Sequence, residues 1–304
     1  MSTTSAPLTS TPPIAPGAPA ATKAKRKLTS PWASLIAVVI AVLWTLPTFG
    51  LAISSLRPER QIKTTGWWTF FTDPQVTLDN YREVLDVENG EGLGSFFVNS
   101  FVITIPSVLI PLCLASLAAY AFAWIRFRGR DLLFIVIFAL QIVPIQVTLI
   151  PLLTLYVDAG IAGQFWTLWL SHSTFALPLA IFLLHNFMKE IPAGLLEAAR
   201  VDGAGHVQIF FKVLLPLLTP ALAAFGIFQF LWVWNDLLVA LTFAGGGPDT
   251  APITVALANL SGTRGTAWHL LSAGAFVSII VPVAIFLLLQ RYFVRGLLAG
   301  GLKG

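Results

Sequence analysis

The sequence predicts an all-α membrane protein with six transmembrane helices, and three observations carry that reading. Of its 304 residues, 56% are hydrophobic and only 11% charged. An ordinary soluble domain carries about 25% charged residues, so this chain lacks the charge to coat soluble domains of its length. Six continuous apolar runs each reach the roughly 20 residues that a helix needs to cross a hydrocarbon core. The basic residues cluster between those runs as membrane flanks. Together these features exclude a water-soluble enzyme and an intrinsically disordered chain. Helices are favoured over strands because the runs are continuously apolar and a bilayer demands backbone hydrogen bonds made within each segment. The net charge of +4 follows the same flanking pattern and forms no single basic stripe, so nucleic acid is not indicated.

Residues 1–31, rich in Ser, Thr, Pro, Ala and Gly, read as a disordered tail, and 32–304 as the membrane domain. Lys23, Lys25, Arg26 and Lys27 precede the first run, at about 32–56, which is too long for a signal-peptide core of about 7–15 residues. An uncleaved anchor is expected. Further runs lie at about 96–124, 132–156, 165–187, 215–242 and 268–290. Pro106, Pro111, Pro144, Pro151, Pro178 and Pro282 fall within them and predict kinks. Cys113, the single cysteine, excludes an intrachain disulfide and reads as a small buried side chain.

With the N-terminus inside, the inner segments hold thirteen Lys and Arg residues and the outer loops five. That asymmetry predicts cytoplasmic N- and C-termini. The long outer loop, 57–95, carries seven acids and the pair Trp67-Trp68, which suits either the outer membrane interface or a packed loop core.

No phosphate-binding loop of the form G-x-x-x-x-G-K-[ST] occurs, so ATP hydrolysis by this chain is not expected. The six runs contain one carboxylate, Asp236, beside Asn235. An intramembrane acid is either a pathway or gating group or lies near water at a span's end, and the sequence leaves both open. Gln146, Asn99, Ser100, Ser171, His172, His185 and Gln229 either line an aqueous path or bond between helices. His172 and His185 stand thirteen apart without carboxylates, so no metal site is predicted, and no cofactor.

The loop between spans four and five, about 190–213, carries the most information. Pro192 suits the first turn of a helix, on which Leu195, Leu196 and Ala199 share a face. Gly203 and Gly205 end it and permit a sharp turn. Val207, Ile209, Phe210 and Phe211 then form an amphipathic stretch leading into span five. A helix, a turn and a second helix follow.

Glu197-Ala198-Ala199, three residues, Gly203, nine residues, then Val213-Leu214-Leu215-Pro216 resembles the E-A-A-x(3)-G-x(9)-[IV]-x-L-P signature of ABC importer permeases. Asp202 before Gly203 and Ile191-Pro192 also fit. Pro144-x-Gln146, Trp234-Asn235-Asp236 and the Gly-rich C-terminus look like sugar-importer permeases, most closely the MalG-type subunit of the maltose and α-glucoside group. The resemblance implies a MetI/MalG-like permease fold in a bacterial cytoplasmic membrane. It implies a heteromeric complex with a MalF-type second permease, two copies of a MalK-type ATP-binding subunit and an external solute-binding protein, importing a carbohydrate. It further implies that Glu197, Ala198, Ala199, Asp202, Gly203 and Pro216 form the element that couples to the ATPase, with Lys303 and Gly304 reaching the ATPase interface. Two other readings are an ion-coupled carrier centred on Asp236 and a scaffold whose loop docks a cytoplasmic partner.

Overall fold

The computed structural model describes residues 31–85, 93–262 and 267–301. Residues 1–30 of the expected tail and the terminal Lys303 and Gly304 lie outside the described residues, and Pro31 already belongs to the first helix. Among those described, the chain is α-helical throughout, with short 3-10 and π segments and no strand. The helices are α1 (Pro31–Ser55), α2 (Glu59–Thr64), α3 (Asp79–Leu85), α4 (Gly94–Trp124), α5 (Arg130–Ala139) and α6 (Ile145–Asp158). They continue with α7 (Phe165–Glu190), α8 (Ala193–Val201), α9 (His206–Trp234), α10 (Leu238–Phe243), α11 (Ile253–Gly262) and α12 (Trp268–Gly301). Five of them are long and apolar enough to span a membrane, and a bent pair makes a sixth if it counts as one span.

Two compact units divide after Gly50. The first contains most of α1, a helix with no charged residue in its length. The second contains every other described element. Within it α4 and α7 run along one another, and α9 packs on both as well as on α12. Ala115 and Ala119 of α4, Ala180 of α7 and Ala221 of α9 are each wholly buried. Small side chains at these positions let the backbones approach closely, which is how helices gain packing energy where lipid offers no hydrophobic contrast. Leu184, Met188, Leu214 and Leu218 fill the space around them.

Three expectations require correction. The run 132–156 is not one continuous span but α5 and α6, bent by 100° at Val143-Pro144. Pro144 disfavours a helical conformation at Val143, which is extended (φ −70°, ψ 120°), and then caps α6. At Pro106, Pro111, Pro151, Pro178 and Pro282 the helices continue. The run 215–242 is likewise broken: α9 ends at Trp234 and α10 begins at Leu238. Finally, Cys113 is exposed on α4, on a different side from Ala115 and Ala119.

The segment between α1 and α4 folds around a buried arginine. Arg57, 1% exposed, donates from Nη2 to Thr69 Oγ1 at 3.0 Å, and Asn80 Nδ2 donates to the carbonyls of Ser55 and Arg57, both at 2.9 Å. Trp67 and Trp68 meet edge to face at 6.1 Å, and Trp68 remains exposed. The pair therefore does not form a buried loop core.

Candidate functional site

The hairpin α8–α9 is built from local chemistry. Pro192 precedes α8 in an extended conformation that starts the helix without a backbone donor. Leu196 is 2% exposed and Ala199 packs beside it against the core formed by α4, α7 and α9. Leu195 does not share that face as expected: it is exposed, together with Ala198 and Val201. An amphipathic helix thus presents small and apolar residues outward next to the exposed Glu197, Arg200 and Asp202. Among the described residues, Glu197 forms no ion pair.

The turn has a defined geometry. The Gly203 N–H donates to the Arg200 carbonyl at 3.0 Å, and the Ala204 N–H to the Ala199 carbonyl at 2.9 Å. This is a Schellman closure, which places the residue after the cap in the left-handed region. Gly203 has φ +82°. Gly205 differs, with an ordinary φ of −75° at the start of α9, so only one of the two glycines is required by its conformation. The spacing Ala199-x(3)-Gly203 is therefore the geometry of the closure itself: a helical residue whose carbonyl is capped, and the glycine that lets the chain reverse.

The second arm explains the distant proline. Residues Ile209–Leu214 form a π-helical turn in which the Leu215 N–H reaches back five residues to the Phe210 carbonyl. Phe210, Leu214 and Leu218, spaced by four, are all buried. Residues four apart share one face of a helix, and that face is turned to the bundle. Pro216 follows directly, where it supplies no N–H and its ring needs a widened preceding turn.

One contact was not legible in the sequence. Tyr120 Oη lies 2.7 Å from His206 Nδ1, and its ring packs at 5.5 Å from Phe210. The turn of the hairpin is thereby fastened to the last turns of α4. Tyr120 stands in an apolar run and His206 in a loop, and no periodicity connects residues 86 apart.

A second constellation gathers Gln146, Asn235 and Asp236, which line one concavity with Ile145, Trp232 and Leu237. Asn235 and Asp236 also break the helix. Asn235 Nδ2 donates to the Leu231 carbonyl at 2.8 Å, while the Asp236 carboxylate accepts from the N–H groups of Val239 at 3.3 Å and Ala240 at 2.9 Å. Side chains that satisfy the backbone themselves end one helix and start the next. His172 Nε2 stands 3.8 Å from the same carboxylate. Several other intramembrane polar residues are engaged structurally: Asn99 bonds the Pro248 and Ala251 carbonyls, Ser100 accepts from the Ile253 N–H, and Gln229 reaches the Ser107 carbonyl. No group of acids, histidines or cysteines suited to a metal occurs among the described residues.

Comparison with known proteins gives four findings. Residues 111–298 match the family described as "Binding-protein-dependent transport system inner membrane component". The chain is 53% identical over 270 residues to the osmoprotective compounds uptake permease protein GgtD of Synechocystis sp., covering 88% of this chain and 90% of that one. It is 39% identical to the alpha-glucoside transport system permease protein AglG of Rhizobium meliloti, covering 90% and 97%. In fold it resembles a chain of a bacterial ABC transporter that imports the acidic polysaccharide alginate, with a TM-score of 0.71 over 92% of this chain and all of that one, at 20% identity.

Proposed function

The chain belongs to the family of binding-protein-dependent transport system inner membrane components, and from that premise we propose that it is the MalG-type permease of an ATP-driven carbohydrate importer. It performs no bond chemistry; ATP is hydrolysed by a separate subunit. A MalF-type permease completes the membrane path, two MalK-type subunits supply the power stroke, and an external binding protein delivers the solute. Both termini and the α8–α9 hairpin face the cytoplasm, in keeping with the thirteen basic residues on that side.

The observation that carries this reading is the hairpin. Its outer surface, Leu195, Glu197, Ala198 and Val201, is exposed, while its inner surface is seated on the bundle through Leu196, Ile209 and Phe210. Ala198 lets a partner backbone approach closely, and Glu197 offers a carboxylate to a basic group. Closure of the ATPase pair pushes on α8, and the π-helical turn and the Tyr120–His206 contact pass that displacement into α9 and α4. A packed seat transmits force because close-packed side chains cannot simply compress.

The solute is a neutral, hydroxyl-rich compound, with an α-glucoside the leading candidate. The two relatives named above handle osmoprotective compounds and α-glucosides, and a path with a single carboxylate suits an uncharged ligand. The test is uptake into proteoliposomes holding the four-subunit complex, with external binding protein and ATP supplied to the ATPase side. Radiolabelled trehalose or maltose should accumulate with ATP, and not with Glu197→Lys. Accumulation driven by an ion gradient without ATP would refute the proposal.

A further inference from the structure

Where α9 breaks, the chain builds something beyond a hinge. The concavity lined by Ile145, Gln146, Trp232, Asn235 and Asp236 has a volume of about 360 Å³, within the range of roughly 300–1,000 Å³ typical of small-molecule sites. Trp232 is half exposed and also walls a narrower recess that runs inward past Phe228, Gln229 and His172. The two spaces share the indole and Ile145.

The polar groups beside that indole are oriented before any ligand arrives. The Asn235 amide nitrogen is held by the Leu231 carbonyl, which leaves its side-chain oxygen to accept. Both Asp236 oxygens are fixed by backbone N–H groups, and an ionised carboxylate keeps further acceptor positions, about four in all. Gln146, on the first turn of α6, supplies both a donor and an acceptor. Preset acceptors next to an apolar aromatic face suit a ligand with many hydroxyl donors and a C–H face. That is the description of a pyranose. A quaternary ammonium compound could use the ring and the carboxylate but has no donor for Asn235. An anion meets Asp236 unfavourably.

Resting on the importer reading above, we propose that this chain itself contributes a carbohydrate subsite, with Trp232 as the stacking platform and Gln146, Asn235 and Asp236 as hydroxyl partners. The subsite sits at the break between α9 and α10, so movement of α9 by the hairpin also reshapes it.

The test uses the assembled importer in proteoliposomes, with labelled trehalose, maltose and glycine betaine as probes. Trp232→Ala should lower the amount of sugar imported per ATP hydrolysed about tenfold, and Trp232→Phe should recover most of it. Asn235→Ala should lower the same ratio by roughly three- to tenfold. In a Cys113→Ser background, high concentrations of maltose should slow maleimide labelling of Asn235→Cys, and glycine betaine should not. Unchanged import ratios with Trp232→Ala, or labelling indifferent to sugar, would overturn the subsite while leaving the importer reading intact. Transport of glycine betaine and of no sugar would overturn both. Failure of the coupling role alone is seen separately, as Glu197→Lys that still imports.

Discussion

Gly203 offers the sharpest handle on the α8–α9 hairpin because its neighbour provides an internal control. Its φ of +82° lies in the left-handed region, where an L-residue with a Cβ costs roughly 1–2 kcal/mol. A Cβ built there meets no atom within 4 Å, so crowding adds nothing to that cost. Gly205 is equally open, but its φ is −75°. Gly203→Ala should therefore strain the turn by about 1–2 kcal/mol, and Gly205→Ala should be close to neutral. Leu196, buried on the same hairpin, contributes more: its truncation costs about 2–5 kcal/mol, so the strained turn stays seated on the bundle. The Gly203→Ala complex should assemble, yet its productive hairpin geometry should fall in population by about 5–30-fold. Gly203→Asn should be milder, since Asn tolerates the left-handed region. The assay is initial uptake of labelled sugar per ATP hydrolysed, with assembly checked by co-purification of the ATPase. Equal effects of alanine at 203 and 205, or none at 203, would refute the argument from backbone conformation.

Further outcomes follow from the same geometry. Glu197→Lys should abolish uptake while the ATPase still binds nucleotide, measured by uptake alongside a fluorescent nucleotide titration. Tyr120→Phe removes one hydrogen bond worth about 0.5–1.5 kcal/mol, so uptake per ATP should fall a few-fold without loss of assembly. Asp236→Ala should lower thermal stability by about 1 kcal/mol through lost capping of α10, and Asp236→Asn should retain only part of it because an amide has one acceptor oxygen for the two N–H groups, read from an unfolding scan of the detergent-solubilised complex. A protonophore should leave ATP-driven uptake unchanged; a collapse of uptake in proteoliposomes would return Asp236 to the role of an ion-coupling group.

How much of this was legible in the sequence depended on the range of the interaction that fixes each feature. The hairpin was legible because it is local: Pro192, the Ala199–Gly203 spacing and Pro216 act on backbone within a few residues. The spans were legible because hydrocarbon imposes a length on any apolar helix. Of the two breaks, the one at Pro144 was legible only as a kink within a span, and the one at Asn235–Leu237 not at all. Hydropathy reads apolarity, and the run through Val143-Pro144 and the one through Asn235–Leu237 remain apolar on either side of the break. At Asn235 and Asp236 the helix ends because side chains capture backbone groups, and an average over neighbours hides that competition. Gln146 and Asp236 were singled out separately, but only the bend at Pro144 places them around one concavity. Tyr120 and His206 meet purely through tertiary packing.

The claim on which all of this depends is that α8 is pressed by another subunit from the cytoplasmic side. Ala198→Cys, in a Cys113→Ser background, puts a single thiol on its exposed surface. In the assembled complex, a short bifunctional maleimide should join that thiol to one of a set of single cysteines placed over the membrane-facing surface of the ATP-binding subunit, with a yield that changes on adding ATP. A thiol that reacts with a membrane-impermeant reagent from outside the cell, or that forms no adduct with the ATPase under any nucleotide, would contradict the account.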